Sequence, residues 1–154
     1  MDRKVETFKA RLVAKAYTQT EEVDYEETFS PVAMLMSMRI LLSIAASRKY
    51  KIWQLDVKTA LLNGYLEDSF YMEQSEGLKA KDLEQKVNKL LISIYGLKQA
   101  SSSWNLRFVE TIKTYGFKQN IHDPCVFKLI NSETVAFLVL YVDDIILIEN
   151  DIGK

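Results

Sequence analysis

The stretch "LVLYVDDIILI", residues 138–148, constrains the fold more than any other part of the chain. It is rich in Val, Ile and Leu on both sides of two adjacent carboxylates, Asp143 and Asp144. Apolar strands on either side of a polar dipeptide predict a β-hairpin whose tight turn carries the two aspartates. Asp is a common turn residue, so an ordinary hairpin turn is one reading. Against it, the strongest two-residue hairpin turns place Gly or Asn where φ must be positive, and Asp-Asp offers neither. Two like charges side by side are also unfavourable unless something neutralises them. A hard divalent cation does that, because Mg²⁺ takes carboxylate oxygens and substrate phosphates. The dipeptide alone leaves both readings open.

The rest of the composition narrows the class. At 154 residues, 48% hydrophobic and 27% charged, the chain reads as one folded globular domain. No apolar stretch approaches the roughly 18 residues of a membrane helix. The opening "MDRKVETFKARL" lacks an apolar core after its basic residues, so a secretory signal is not expected. A single cysteine, Cys125, excludes an internal disulfide and a cysteine-rich zinc site, in keeping with an intracellular setting. The formal net charge of −1 excludes a whole-domain basic signature for nucleic acid. The charge is unevenly spread, however. Arg3, Lys4, Lys9, Arg11 and Lys15 precede Glu21, Glu22, Asp24, Glu26 and Glu27. On charge alone these are two solvated surfaces.

Periodicity gives the elements. Residues 7–17 alternate basic and apolar positions and predict a strand with one wet face. Residues 19–31 read as a loop. Ser30 and Pro31 predict the start of a buried helix running to about Ser47, with a Met-rich face filling the core. Residues 50–57 predict a strand with Asp56 near its end, followed by a helical turn over 58–64. Short strands are expected in 69–74 and 86–96, and a helix over 97–117 with Gly116 as its stop. The last three strands are expected over 125–130, 134–142 and 145–150. Mixed strands and helices without regular βαβ alternation predict an α+β fold, with helices against one face of an antiparallel sheet.

Asp56 adds a third carboxylate. If its strand lies beside the hairpin, Asp56, Asp143 and Asp144 converge at one end of the sheet. Three carboxylates hold two Mg²⁺ ions about 3.5–4 Å apart in enzymes that displace groups at phosphorus.

At this point the residues carry a resemblance. The blocks "KARLVAKAYTQ", "DYEETFSPVA", "WQLDVKTALLNG", "YMEQ", "IYGLKQAS", "DPCVF" and "LYVDDIILI" come in an order and spacing that resemble the reverse transcriptase region of copia-type retrotransposon polyproteins. The resemblance runs from about Lys9 to the end of the chain. It implies an RNA-directed DNA polymerase fragment of fingers and palm, truncated after the catalytic hairpin: residues 8–50 mainly fingers, 51–154 palm with an interleaved fingers segment. Asp56, Asp143 and Asp144 would be the catalytic metal ligands for two Mg²⁺ ions, with Mn²⁺ able to replace them. Lys9, Arg11, Lys15, Val57, Lys58, Leu61, Gly96 and Gln99 would bind the nucleotide, and Tyr141, Tyr95 and Lys98 the primer and template. The implied partners are a primed RNA or DNA template, deoxynucleoside triphosphates and the thumb and RNase H regions of the same polyprotein, with no membrane. The implied setting is a cytoplasmic virus-like particle. An inactive relic that at most binds nucleic acid is the alternative.

The sequence departs from the family pattern at several positions. Leu61 replaces a Phe expected to crowd the ribose 2′-position. Ala16 replaces a Gly, which strains the chain if φ there is positive. Ser102 replaces an Arg, Ser75 a Pro, and Glu149 a Gly. Trp53 and Trp104 read as packing residues, His122 as structural and Cys125 as a buried small apolar residue.

Overall fold

The computed structural model describes residues 10–25, 28–66, 69–75 and 85–150. The central element is a five-stranded antiparallel sheet. Its strands are β1 (Lys51–Asp56), β4 (Lys118–Gln119), β5 (Val126–Ile130), β6 (Val135–Tyr141) and β7 (Asp144–Glu149), in the spatial order β1-β7-β6-β5-β4. A separate antiparallel pair joins β2 (Phe70–Glu73) to β3 (Val87–Leu90). The two α-helices are α1 (Leu35–Arg48) and α2 (Ala100–Thr114).

The α+β class and the antiparallel sheet are as the sequence predicts. The placement of the helices is not. Leu138 and Leu140 of β6 share a core with Trp104 and Phe108 of α2. Val139, between them, shares a second core with Leu41 and Ala45 of α1. Successive residues of a strand face opposite ways, so α1 and α2 cover opposite faces of the sheet. Strand β7 repeats the pattern, with Ile145 toward α2 and Ile148 toward α1. This is why β6 and β7 are apolar at consecutive positions: neither face is free for water.

Helix α1 starts at Leu35, later than Ser30–Pro31 predicts, and no side chain of its own segment caps it. The residue ahead of the helix is tied from elsewhere in the chain. The buried Asp123 carboxylate accepts a bond from the Met34 N–H at 3.0 Å and another from the Cys125 N–H at 3.1 Å. The helix ends where Lys49 turns left-handed at φ 57°. The expected burial also fails: only Leu41 and Ala45 of α1 are buried, and Met36 is 65% exposed. Met34 and Met36 therefore lie at the surface, and of the helix's Met face only Met38 packs, partly buried, against the core. Helix α2 behaves as predicted, and Gly116 at φ 85° follows its end.

The strand expected over 7–17 does not form among its described residues. Residues 10–17 make one parallel bridge, Val13 to Tyr95, and Ala16–Thr18 wind into a 3₁₀ turn. Ala16 is not at positive φ, so its replacement of Gly brings no strain of that kind. Among the described residues no helix is long and apolar enough to cross a membrane.

Candidate active site

The sheet brings two of the three aspartates face to face. In the β1–β7 register Asp56 lies opposite Asp144, and in the β6–β7 register Tyr141 lies opposite the same Asp144. The ladder extends one step further, where the Val57 N–H donates to the Asp143 carbonyl at 2.9 Å. Antiparallel pairs alternate between bonded and non-bonded, so Asp56 and Asp144 form a non-hydrogen-bonded pair. Such pairs approach to about 4.5 Å between Cα atoms, with their side chains on one face. Tyr141, Asp144 and Asp56 therefore stand abreast on three neighbouring strands. Their face is the one that α1 covers further along, at Ile148.

The turn differs from the sequence expectation. Its two central residues are Val142 and Asp143, and Asp144 already belongs to β7. The positive φ falls on Val142, at 58°, and not on either aspartate. Positive φ at the first central residue alone is the signature of a type II′ turn, matched to the twist of a hairpin. The turn is tied from below. The indole N–H of Trp104, on α2, donates to the Val142 carbonyl at 2.8 Å.

The carboxylates of Asp56, Asp143 and Asp144 have no hydrogen bond or ion pair to a described residue. Asp56 and Asp143 are exposed and Asp144 is half-buried. Like charges directly opposite across strands destabilise a sheet, and nothing in the described chain offsets these. Among the described residues no three His, Cys, Asp or Glu side chains gather as a ready metal cage. A facing pair with a third carboxylate on the adjoining turn nevertheless suits Mg²⁺, which uses one or two carboxylates and completes its octahedron with water and phosphate oxygens.

The remaining candidate residues form two groups. Val57 and Leu61 pack against the α2-side core, and Lys58 is exposed between them. Leu61 also lines a cavity of about 260 Å³ with Ser30, Ser101, Trp104 and Val142, which places it beside the hairpin turn. The second group gathers around residues 95–99. The Arg11 guanidinium lies 5.7 Å from the centre of the Tyr95 ring, and the Ala14 N–H donates to the Tyr95 carbonyl at 2.7 Å. Gly96, at φ 90°, has no room for a side chain: a Cβ there would lie 2.2 Å from the Ala14 carbonyl oxygen. Gln19 fastens the loop by accepting from the Lys98 N–H at 2.9 Å and donating to Gln99 Oε1 at 3.2 Å. Lys15 is exposed at the start of the 3₁₀ turn, and Lys9 lies outside the described residues. Gln99 is the N-cap residue of α2 and Trp104 follows five residues on, about 7.5 Å along the helix axis. One helix end thus links the two groups.

Two tryptophans read alike in the sequence part company here. Trp104 is buried, as expected, but its indole N–H bond to the turn carries no sequence signal. Trp53 is 50% exposed and donates to Glu149 Oε1 at 3.1 Å. Glu149 sits at the far end of β7 from Asp144, so its charge is remote from the aspartates. Asp123 was missed as a structural acceptor; the run "DPC" was its only trace. Cys125 is buried, and burial, reinforced by the nearby Asp123 charge, pushes its thiol up to about 11.

Comparison with known proteins settles the class. The chain belongs to the reverse transcriptase (RNA-dependent DNA polymerase) family, whose model matches residues 1–154. More particularly, it is similar to retrovirus-related Pol polyproteins of transposons. It is 43% identical over 99% of its length to that of transposon TNT 1-94 from Nicotiana tabacum, of which it covers 12%. It is 42% identical over 97% of its length to that of transposon RE1 from Arabidopsis thaliana, of which it covers 10%. It is 32% identical over 96% of its length to the transposon Ty1-ER2 Gag-Pol polyprotein of Saccharomyces cerevisiae, of which it covers 8%. The chain thus spans about a tenth of the relatives it matches, and the expected copia-type affinity holds. No solved structure matches.

Proposed function

We propose that this chain carries the nucleotidyl-transfer centre of a copia-type RNA-directed DNA polymerase, which joins deoxynucleotides to a primer on an RNA or DNA template. The observation that carries the reading is the pairing of Asp56 with Asp144 beside the Asp143 turn, three carboxylates without a counter-charge from the described chain. Asp56, Asp143 and Asp144 would hold Mg²⁺, two ions in the full complex, with Mn²⁺ as a substitute. When bound, the ions neutralise the triphosphate and the attacking 3′-oxygen. In the reaction the primer 3′-oxygen bonds to the α-phosphorus, and the bond from that phosphorus to pyrophosphate breaks.

The chain itself supplies position, on which phosphoryl transfer chiefly depends. The backbone from Val57 to Leu61, with Lys58, would lie along the incoming nucleotide. Leu61 would face its sugar and Tyr141 the primer end. Arg11 and Lys15, with Gly96 and Gln99, would meet the triphosphate, and Tyr95 and Lys98 the template. Residues 8–50 would serve mainly as fingers and 51–154 as palm. The thumb and RNase H regions of the polyprotein would grip the duplex, inside a cytoplasmic virus-like particle.

Primer extension on an RNA template with Mg²⁺ and deoxynucleotides tests this, with Asp143→Asn as control. Extension by the native chain and its loss in the variant is the expected result. A folded chain that extends no primer, yet binds nucleic acid with steep salt dependence, would overturn the reading in favour of an inactive binding relic.

A further inference from the structure

Val142 is poorly suited to its backbone. Its φ of 58° lies in the left-handed region, where a β-branched residue is an outlier. Left-handed backbone costs an L-residue about 1–2 kcal/mol, and such strain persists only where surrounding bonds over-determine it. Two bonds do so here. The Val57 N–H holds the Asp143 carbonyl at 2.9 Å, and the Trp104 indole N–H holds the Val142 carbonyl at 2.8 Å. The first belongs to the sheet. The second comes from a side chain 38 positions away, fixed in the core beside Phe108 with ring centres 5.6 Å apart. Filling that core asks only for an aromatic ring; the N–H is extra, and it is spent on the strained residue.

We propose that Trp104 is a positioning residue: its indole N–H locks the Val142 peptide in the positive-φ turn and so fixes Asp143 and Asp144 against Asp56. The consequence for catalysis rests on the proposed nucleotidyl-transfer centre, but the lock itself does not. Without the N–H, Val142 gains by relaxing toward negative φ. The Asp143 carbonyl then swings away from Val57, and the carboxylates lose register.

The Val57 amide reports this directly. Hydrogen exchange is followed by NMR in the native chain and in Trp104→Phe, which keeps a ring and removes the N–H. Val57 exchange is expected to quicken about tenfold, the worth of one hydrogen bond, while the Leu140 amide, bonded to the Cys125 carbonyl at 2.9 Å, holds its rate. Adding Val142→Gly, which makes positive φ easy, restores Val57 protection. An unchanged Val57 rate, an equal rise at Leu140, or no rescue by Gly would each overturn the lock. If Trp104→Phe does not fold, benzothienylalanine at 104 keeps the bicyclic shape with sulfur in place of N–H. In primer extension Trp104→Phe should lose about tenfold in kcat with the deoxynucleotide KM within twofold, and adding Val142→Gly should restore kcat. A change mainly in KM would make Trp104 a substrate contact and overturn the positioning role. A native chain that extends no primer defeats the proposed function, while the exchange result still decides the lock.

Discussion

Replacing Asp56 by Asn should make the metal-free protein more stable. Asp56 faces Asp144 across a non-hydrogen-bonded pair, with no described cation beside either. Two unit charges about 5 Å apart in water repel by about 0.8 kcal/mol. Like-charged cross-strand pairs fall in the same range, roughly 0.2–1 kcal/mol. Asp56 is exposed, so salt takes part of this and about 0.5 kcal/mol remains. For a chain of this length 1 kcal/mol moves Tm by about 2–4 °C, so Asp56→Asn should melt about 1–2 °C higher without divalent ions. Mg²⁺ reverses the order. A ligand at ten times its Kd stabilises by about 1.4 kcal/mol, which raises the native Tm by about 3–6 °C. The variant, with half of the facing pair gone, should gain much less. Thermal melts of both proteins, with and without Mg²⁺ at constant ionic strength, are the assay. Two curves crossing as Mg²⁺ is added are expected. A metal-free variant that melts below the native chain, or equal Mg²⁺ gains in the two, would refute the facing-pair argument.

Three further outcomes follow from other contacts. Asp123→Ala leaves the Met34 and Cys125 N–H groups without their acceptor, and should cost about 2–4 kcal/mol in urea unfolding. Cys125 has a folded-state thiol raised from 9.0 to about 11. Its contribution to stability is complete below pH 9 and is lost as pH climbs from 9 to 11, because the unfolded chain ionises first. Cys125→Ala should flatten the alkaline limb of the unfolding curve, and a limb of unchanged slope would assign it to other groups. Leu61→Phe fills the cavity beside Val142; single-nucleotide insertion should then discriminate more strongly against ribonucleotides, by tenfold or more. Equal use of both sugars before and after the change would remove position 61 from that role.

What the sequence revealed follows physical range. Short apolar runs, helical spacing and the Gly116 stop depend on near neighbours, so β5, β6, β7 and α2 were legible in place. The facing of Asp56 and Asp144 was legible only as a condition, that two strands be adjacent, and the register meets it. Pairing that depends on distant partners was not legible. The Met34 N–H, just ahead of α1, is held by Asp123, 89 positions away. The segment 10–17 alternates like a strand, but it finds only the single bridge from Val13 to Tyr95, and alternation without a ladder makes no strand. The one-sided sheet failed for a related reason. Consecutive apolar residues in β6 and β7 meant two buried faces, and period-two reasoning looks for one. The turn was misplaced by one residue because composition pointed at Asp, whereas the ladder set the positive φ on Val142.

The two helices on opposite faces have a consequence for how such a chain tolerates change. Between Phe137 and Leu140, and again from Ile145 to Ile148, no side chain is fully open to solvent. A substitution there meets one packed layer or the other, so these two stretches of the hairpin have almost no neutral positions. Strand β1 is the opposite case, exposed at every residue from Lys51 to Asp56. The facing carboxylates thus ride on strands of unlike mutability. A lineage under no selection for chemistry would still keep Asp144's surroundings for the sake of folding, whereas at Asp56 folding exerts no such hold. Position 56 is therefore where a loss of selection for chemistry would show first, because folding alone does not ask for an Asp there.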